Sequence, residues 1–338
     1  MNRIGKSTLQ FKKSLGVRSY ASVVGKKEGE GPLCDYFDTV NIDTTFGEKS
    51  WEKAESRMQK DALHRALDKG KLSVSDIDCM VAGDLLNQCV GSSYGLREFE
   101  IPFLGVFGAC STMVEALLVG AGMMEGGFFK KVAAVTSSHF CSAERQFRFP
   151  LEYGGQRPPT SQWTATGAAA TILEEGGEGP FITMGTIGKI VDMGITDANN
   201  MGAAMAPAAF TTLLEFFNDT RKTPADFDMI LTGDLGALGK EIVTDYFLDA
   251  GVDLRKNYND CGCMIYDLAT QGVNCGASGC GCCATVLNGY VFEQMKKAKW
   301  NKVLVVATGA LMSPTLVSQG ESIPVVAHAI VFENKPAH

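Results

Sequence analysis

Asp76-Ile77-Asp78-Cys79-Met80-Val81-Ala82-Gly83-Asp84-Leu85 returns later in the chain as Asp226-Phe227-Asp228-Met229-Ile230-Leu231-Thr232-Gly233-Asp234-Leu235. A second echo follows each copy. Gly108-Ala109-Cys110-Ser111 opens a small-residue helix that leads to Lys131-Val132-Ala133-Ala134-Val135-Thr136. Gly276-Ala277-Ser278-Gly279 leads likewise to Lys302-Val303-Leu304-Val305-Val306-Ala307. Each copy closes on a similar strand, Ala169–Glu174 and His328–Glu333. The repeat is far longer than the period of a solenoid. It predicts two related α/β halves, residues 1–176 and 177–338, meeting at the Gly- and Glu-rich stretch 174–180, with a ligand site at the seam.

Composition narrows the function. The chain has 338 residues, 45% hydrophobic and 20% charged, which suits a duplicated globular protein. A net charge of −7 with no basic stripe argues against nucleic acid as a partner. The most apolar stretch, Ile101 to Met124, carries Pro102 and Glu115 and reads as a closely packed core helix rather than a membrane span. The N-terminus lacks the compact apolar core of a signal peptide. Eleven cysteines without a secretory signal are expected to be reduced thiols inside a cell. Residues 1–27 carry seven Lys and Arg and no acid. They suit an anionic membrane surface or a first strand near Val17–Val24 between solvated charges.

Periodicity predicts a helix over Ser50–Lys69, stopped by Gly70, a loop over Asn87–Glu100, a strand over Phe103–Phe107 and a helix over Ser111–Met124. A long irregular segment is expected over Ser137–Thr166. Lys26–Leu33 reads as a flexible turn. In the second half, helices are expected near Ala208–Asn218 and Gly236–Ala250, and strands at Met229–Thr232, Val303–Ala307 and Val325–Phe332.

Several residues are candidates for chemistry. Cys110, at a helix N-terminus, is a nucleophile with a lowered pKa or a small packing residue. His139 and His328 lie near strand ends that could face the seam, or are satisfied structural histidines. Arg145, Arg148 and Arg157 are the best cationic group for an anion, or surface charges. Cys261, Cys263, Cys275 and the Cys280-Gly281-Cys282-Cys283 run lack the spacing of a zinc or iron–sulfur site, so no metal and no cofactor are expected. Asp84 and Asp234 match each other and read as caps of the helices that follow.

The duplicated plan with a cysteine at the strand-to-helix turn resembles the thiolase and ketoacyl synthase superfamily. Phe107-Gly108-Ala109-Cys110-Ser111 is similar to the segment bearing its nucleophile. Gly272-Val273-Asn274-Cys275-Gly276-Ala277-Ser278-Gly279 resembles its Gly-His-Pro-x-Gly-Ala-Ser-Gly motif. The resemblance implies five layers, α-β-α-β-α, with two related mixed sheets. It also implies a pocket floored by Cys110 and bordered by Asn274, Ser278 and the backbone of that turn. Val273 stands where the motif has its histidine, no cysteine follows Cys283, and neither histidine nor asparagine occurs near Thr232–Leu235. No general base is therefore expected within hydrogen-bond reach of the Cys110 thiol, and one found there would sink the binding reading.

Glu28-Gly29-Glu30-Gly31-Pro32-Leu33, Ser137–Cys141 and Val326–Ile330 resemble a non-condensing branch of the superfamily that serves endospore formation. That resemblance implies a soluble or peripheral protein at the inner spore membrane. It would bind dipicolinic acid (pyridine-2,6-dicarboxylate), with calcium in play, and serve a membrane channel complex, as a homodimer. Guanidinium forks of Arg145, Arg148 and Arg157 would suit such a dicarboxylate. The rival is an acyltransferase or condensing enzyme working through a Cys110 thioester.

Overall fold

The computed structural model describes residues 2–147 and 156–336. In the first half the strands are β1 (Thr8–Gly25), β2 (Cys79–Asp84), β3 (Phe103–Gly105), β4 (Lys131–Ser138) and β5 (Gly167–Glu175). In the second they are β6 (Phe181–Thr186), β7 (Met229–Thr232), β8 (Tyr258–Asp260), β9 (Lys302–Ala310) and β10 (Val325–Glu333). From edge to centre the first half runs β3-β2-β4-β5-β1 and the second β8-β7-β9-β10-β6, the same order twice. The directions repeat too: the three outer strands are parallel, and the last two alternate. The two mixed sheets join edge to edge. The 18-residue β1 pairs with β6 through Thr8–Gln10 and Leu15–Gly16, and with β5 from Leu15 to Val24.

Strand alternation assigns the layers, because successive side chains point to opposite faces. On β2 and β4, Met80, Ala82, Ala133 and Val135 pack on α1 (Trp51–Gly70), while Cys79, Val81, Val132 and Ala134 face inward. On β7 and β9, Ile230, Leu304 and Val306 pack on α5 (Met201–Thr220) and α6 (Gly236–Asp249); Leu231, Val303, Val305 and Ala307 face inward. The inward sets enclose α3 (Thr112–Glu125) and α7, which runs through Cys280–Val286, a π turn at Leu287–Val291 and Phe292–Lys296. Outer helices, sheet, central helices, sheet and outer helices are the five layers.

The central helices are buried on both sides, which explains their small residues. Gly120 of α3 lies so close to β4 that a Cβ would sit 2.9 Å from the Val132 side chain. The apolar run Ile101–Met124 is thus split into β3, a tight turn and α3. Among the described residues no helix is long and apolar enough to cross a membrane.

Two expectations change. The Asn87–Glu100 loop contains α2 (Val90–Leu96). The segment Ser137–Thr166 is not irregular throughout: α4 (Phe140–Phe147) opens it, and Trp163–Thr164 pairs with Ala277–Ser278 across the halves. The first strand read near Val17–Val24 is found within β1, and the basic residues before it are anchored: the N–H groups of Lys6, Ser7 and Thr8 donate to Asp219 at the end of α5, and Lys13 pairs with Glu175 at 3.0 Å.

Candidate functional site

The site grows from the turn between β3 and α3. Ala109 takes φ +49°, the Ser111 hydroxyl donates to the Gly108 carbonyl at 2.7 Å, and the Thr112 hydroxyl donates to the Ala109 carbonyl at 2.6 Å. The turn presses against β9, where Gly309 leaves no room for a side chain: a Cβ would stand 2.0 Å from the Gly108 carbonyl oxygen. This closure carries Cys110 to the seam between the halves.

There the Cys110 thiol meets the carboxylate of Asp234, which follows β7 and has no exposed surface. Asp234 also accepts the Gly279 N–H at 2.9 Å and the Thr308 hydroxyl at 3.0 Å. The first half thus supplies the sulfur, and the second half supplies the carboxylate with its remaining partners. Two expectations are overturned. A proton acceptor does stand at the thiol, and Asp234 does not cap the helix after it. Asp260 does that, accepting the N–H groups of Leu235 and Gly236 at 2.8 and 2.9 Å.

Electrostatics sets what the pair can do. Burial pushes the Cys110 thiol well above its usual range, and the adjacent Asp234 charge pushes it further. The lowered pKa expected from the helix N-terminus is not found, because desolvation and a carboxylate in contact outweigh the Gly279 N–H that opposes them. Burial also raises Asp234 to about 7, with Asp260 adding to the rise while the Cys110 hydrogen bond lowers it. A Cys–His pair stabilises thiolate because the proton acceptor becomes a cation. A Cys–Asp pair carries one negative charge wherever the proton sits, so no such stabilisation arises.

Above the thiol lies a narrow cavity of about 60 Å³ that opens to solvent. Leu85, Phe147, Met201, Met205 and Met312 make its walls largely apolar; Thr164, Ser278 and Glu144 are polar. The Glu144 carboxylate pairs with the Arg157 guanidinium, which also donates to the Gln162 carbonyl at 2.6 Å. Arg157 packs beside Phe140 and Trp163, two rings stacked with centroids 3.8 Å apart.

The other candidates disperse. His139 is buried, its Nε2 against the Thr44 carbonyl at 2.8 Å and its Nδ1 accepting the Cys141 N–H, and burial lowers its pKa. His328 accepts the Gly188 N–H through Nδ1 and is pushed down to about 4 by burial. Neither lines the cavity. Arg145 faces away, paired with Glu52 and lying over Trp51. Arg148 lies outside the described residues. Asn274 donates to Ser161 at 2.8 Å and holds a turn. Val273 is core. Of the predicted set, Cys110 and Ser278 line the cavity, and Arg157 reaches its wall through Glu144. Among the described residues no three His, Cys, Asp or Glu side chains converge on a metal position.

The symmetry mate of Asp234 behaves differently. Asp84 accepts the N–H of Leu86 at 2.9 Å and both the N–H and hydroxyl of Ser92. A buried chain runs from there through Gln59 and Ser137 to Glu55, which also accepts the Ser142 hydroxyl of α4 at 2.7 Å and is raised by burial to about 8. The repeat therefore preserves position without preserving partners. The signal that could have singled out Asp234 was a carboxylate two residues past a largely apolar, mostly buried strand, a costly placement unless it has a task.

The comparisons agree with this geometry. The family described as Stage V sporulation protein AD (SpoVAD) matches residues 5–333. Stage V sporulation protein AD of Bacillus subtilis (strain 168) is 46% identical over 333 residues, covering 98% of each chain. Among solved structures, 3-oxoacyl-[acyl-carrier-protein] synthase III from Aquifex aeolicus superposes with a TM-score of 0.57 at 9% identity, covering 94% of this chain and 99% of that one. An OleA variant from Xanthomonas campestris reaches 0.60 at 12%, covering 96% and 100%. At such identities these two show the fold alone, which is thiolase-like. The duplicated halves, the cysteine at the seam and the full-length match together place this chain in the stage V sporulation protein AD family.

Proposed function

We propose that this chain binds dipicolinic acid in the cleft above Cys110, as the soluble or peripheral member of the spore membrane complex that moves dipicolinate, with calcium in play. The observation that carries the reading is the setting of the sulfur: a carboxylate does stand beside it, yet burial and that charge raise the Cys110 thiol well above its usual range, so it stays protonated where it lines the cavity. Met201, Met205, Met312 and Phe147 offer adaptable apolar contact to a flat ring, and Ser278 and Thr164 offer polar contact to its substituents. Membership of a sporulation family supports the biological setting. The guanidinium forks are not part of this reading, because Arg145 points elsewhere and Arg157 is already engaged.

The rival is acyl transfer through a Cys110 thioester, with Asp234 taking the thiol proton. The same neighbour favours it, since a buried carboxyl raised to about 7 is well poised as a base. Two measurements decide. Calorimetry with dipicolinate at pH 6, with and without calcium, should show binding, and a hundredfold excess over Kd should add about 2.7 kcal/mol of stability. No heat and no thermal shift at millimolar ligand would end the binding reading. A mass adduct from acyl-CoA that turns over and vanishes in Cys110→Ala would establish the rival.

The expected homodimer would pair the free edges of β3. Among the described residues that edge strand hydrogen-bonds only to β2, and it exposes Phe103 and Leu104, with Phe107 just beyond it. An apolar unpaired edge invites a second strand. Leu104→Lys should shift a sedimentation profile from dimer to monomer, and a wild-type monomer would refute the pairing.

A further inference from the structure

The cleft contains a carboxylate of its own. Among the described residues that line it, Glu144 is the one acid, and none is a cation. The Glu144 side chain is nearly closed from solvent and is paired with the Arg157 guanidinium. A carboxylate entering this cleft meets like charge, and the cation that would suit it is already taken. An anion held here therefore needs that cation to be released to it.

Arg157 does not depend on Glu144 for its place. Its Nη1 donates to the Gln162 carbonyl at 2.6 Å, and the guanidinium lies 5.2 Å from the Phe140 ring centroid and 5.0 Å from that of Trp163. The two rings stack on each other, and Trp163 belongs to the short strand that pairs with Ala277–Ser278. Thr164 and Ser278, partners in that pairing, line the cleft. One side of the guanidinium is thus fixed from behind, and Nη2 is given to a carboxylate oxygen of Glu144. Any carboxylate oxygen suits that donor. Glu144 in turn is not needed to hold α4, which is tied to α1 by Ser142 on Glu55 and by Arg145 on Glu52.

We propose that Glu144 is a stand-in for the ligand: an entering carboxylate replaces it on the Arg157 guanidinium, and the released Glu144 side chain turns to the solvent mouth of the cleft. The proposal rests on the binding reading above and deepens it by naming the residue that reads the acid. Exchange leaves one carboxylate on Arg157 before and after, so no buried cation is orphaned. The departure of Glu144 also widens a cavity of only about 60 Å³. A second carboxylate on the ligand is left to the Thr164 and Ser278 hydroxyls. A neutral molecule of the same shape cannot displace Glu144, because it brings the guanidinium no charge of its own. Glu144 thus bars what fits by shape alone, and Arg157 determines specificity.

Calorimetry at pH 7 with dipicolinate and with its uncharged diamide tests the exchange. Glu144→Gln keeps the shape and removes the competing charge. It should bind dipicolinate about ten- to a hundredfold more tightly than the wild type, the span of one charge-assisted hydrogen bond, and leave the diamide affinity unchanged. Adding Arg157→Gln should cancel the gain, since no cation is then left to redirect. If Glu144→Gln does not fold, Glu144→Asp, whose shorter arm reaches the guanidinium poorly, should show a smaller gain for the acid alone. Equal gains for acid and diamide would make Glu144 a steric wall and overturn the exchange. So would a gain that survives Arg157→Gln, or dipicolinate binding that Glu144→Gln does not tighten. Each of these leaves the binding reading in place. Absence of dipicolinate binding by both the wild type and Glu144→Gln at millimolar ligand overturns both.

Discussion

Gly309→Ala is expected to destabilise the protein by about 3 kcal/mol and to abolish ligand binding. The added Cβ would stand 2.0 Å from the Gly108 carbonyl oxygen and 3.1 Å from the Ser111 hydroxyl. Its obstacle is backbone, so no rotamer change relieves the clash. Either β9 or the Cys110 turn must shift, and the turn is the piece that aims the sulfur at Asp234. Gly122→Ala is the matched control. It lies on α3 with nothing within 4 Å of its added methyl, and it should gain about 0.5–1 kcal/mol from helix propensity alone. Denaturant midpoints of the two variants read the difference. Equal midpoints would show that the turn is not held by close packing.

Glu28→Ala is expected to cost a similar amount, about 3 kcal/mol, whereas Glu28→Gln should cost far less. Glu28 was read as part of a flexible turn, and the structure corrects this. The segment forms a single tight turn at Glu28–Glu30 whose carboxyl is buried. It accepts the Tyr266 hydroxyl from the second half and the Thr166 N–H at 2.9 Å from the first. Gly31 then passes so near the Ile265 carbonyl that a Cβ would sit 2.1 Å away. Removing the carboxyl leaves a buried hydroxyl and a buried N–H without an acceptor, and each orphan costs about 1–3 kcal/mol. Glutamine keeps an acceptor and lifts the charge, whose burial already raises the Glu28 pKa. Thermal melts at pH 7 check the pair. An alanine variant as stable as the glutamine variant would contradict the account.

The fold was legible because duplication writes each local rule twice. A strand read at Met229–Thr232 is found at those residues, and the helix read over Ser50–Lys69 is found at Trp51–Gly70, its last turn closed by Lys71 at φ +54°. Those elements are decided by periodicity and local turn chemistry, which neighbours in sequence carry. Among the elements missed were the strands β6 and β8 and the helices α2 and α4. α2 is short and glycine-containing, with Ser92 held by Asp84 just before it, and α4 is short and polar, with Ser142 fixed by the distant Glu55.

The site divides along the same line. The residues themselves mark Cys110 as a seam cysteine and Val273 as a place where no proton can be moved, because those are properties of side-chain type at a position in a repeat. Whether a base stands at the thiol is a different kind of fact. Cys110 and Asp234 are far apart in the chain, and their contact exists only because β9 closes on the Cys110 turn and two halves share one core. The same holds for the cations. Arg145 and Arg157 look alike as sequence, yet one leans on Trp51 outside and the other is taken by Glu144 at the cavity wall. The amino-acid sequence alone determined that two thiolase-like halves form, and that a cysteine lies between them. Tertiary packing decided what that cysteine touches, since a buried group's charge state depends on neighbours brought from elsewhere in the chain.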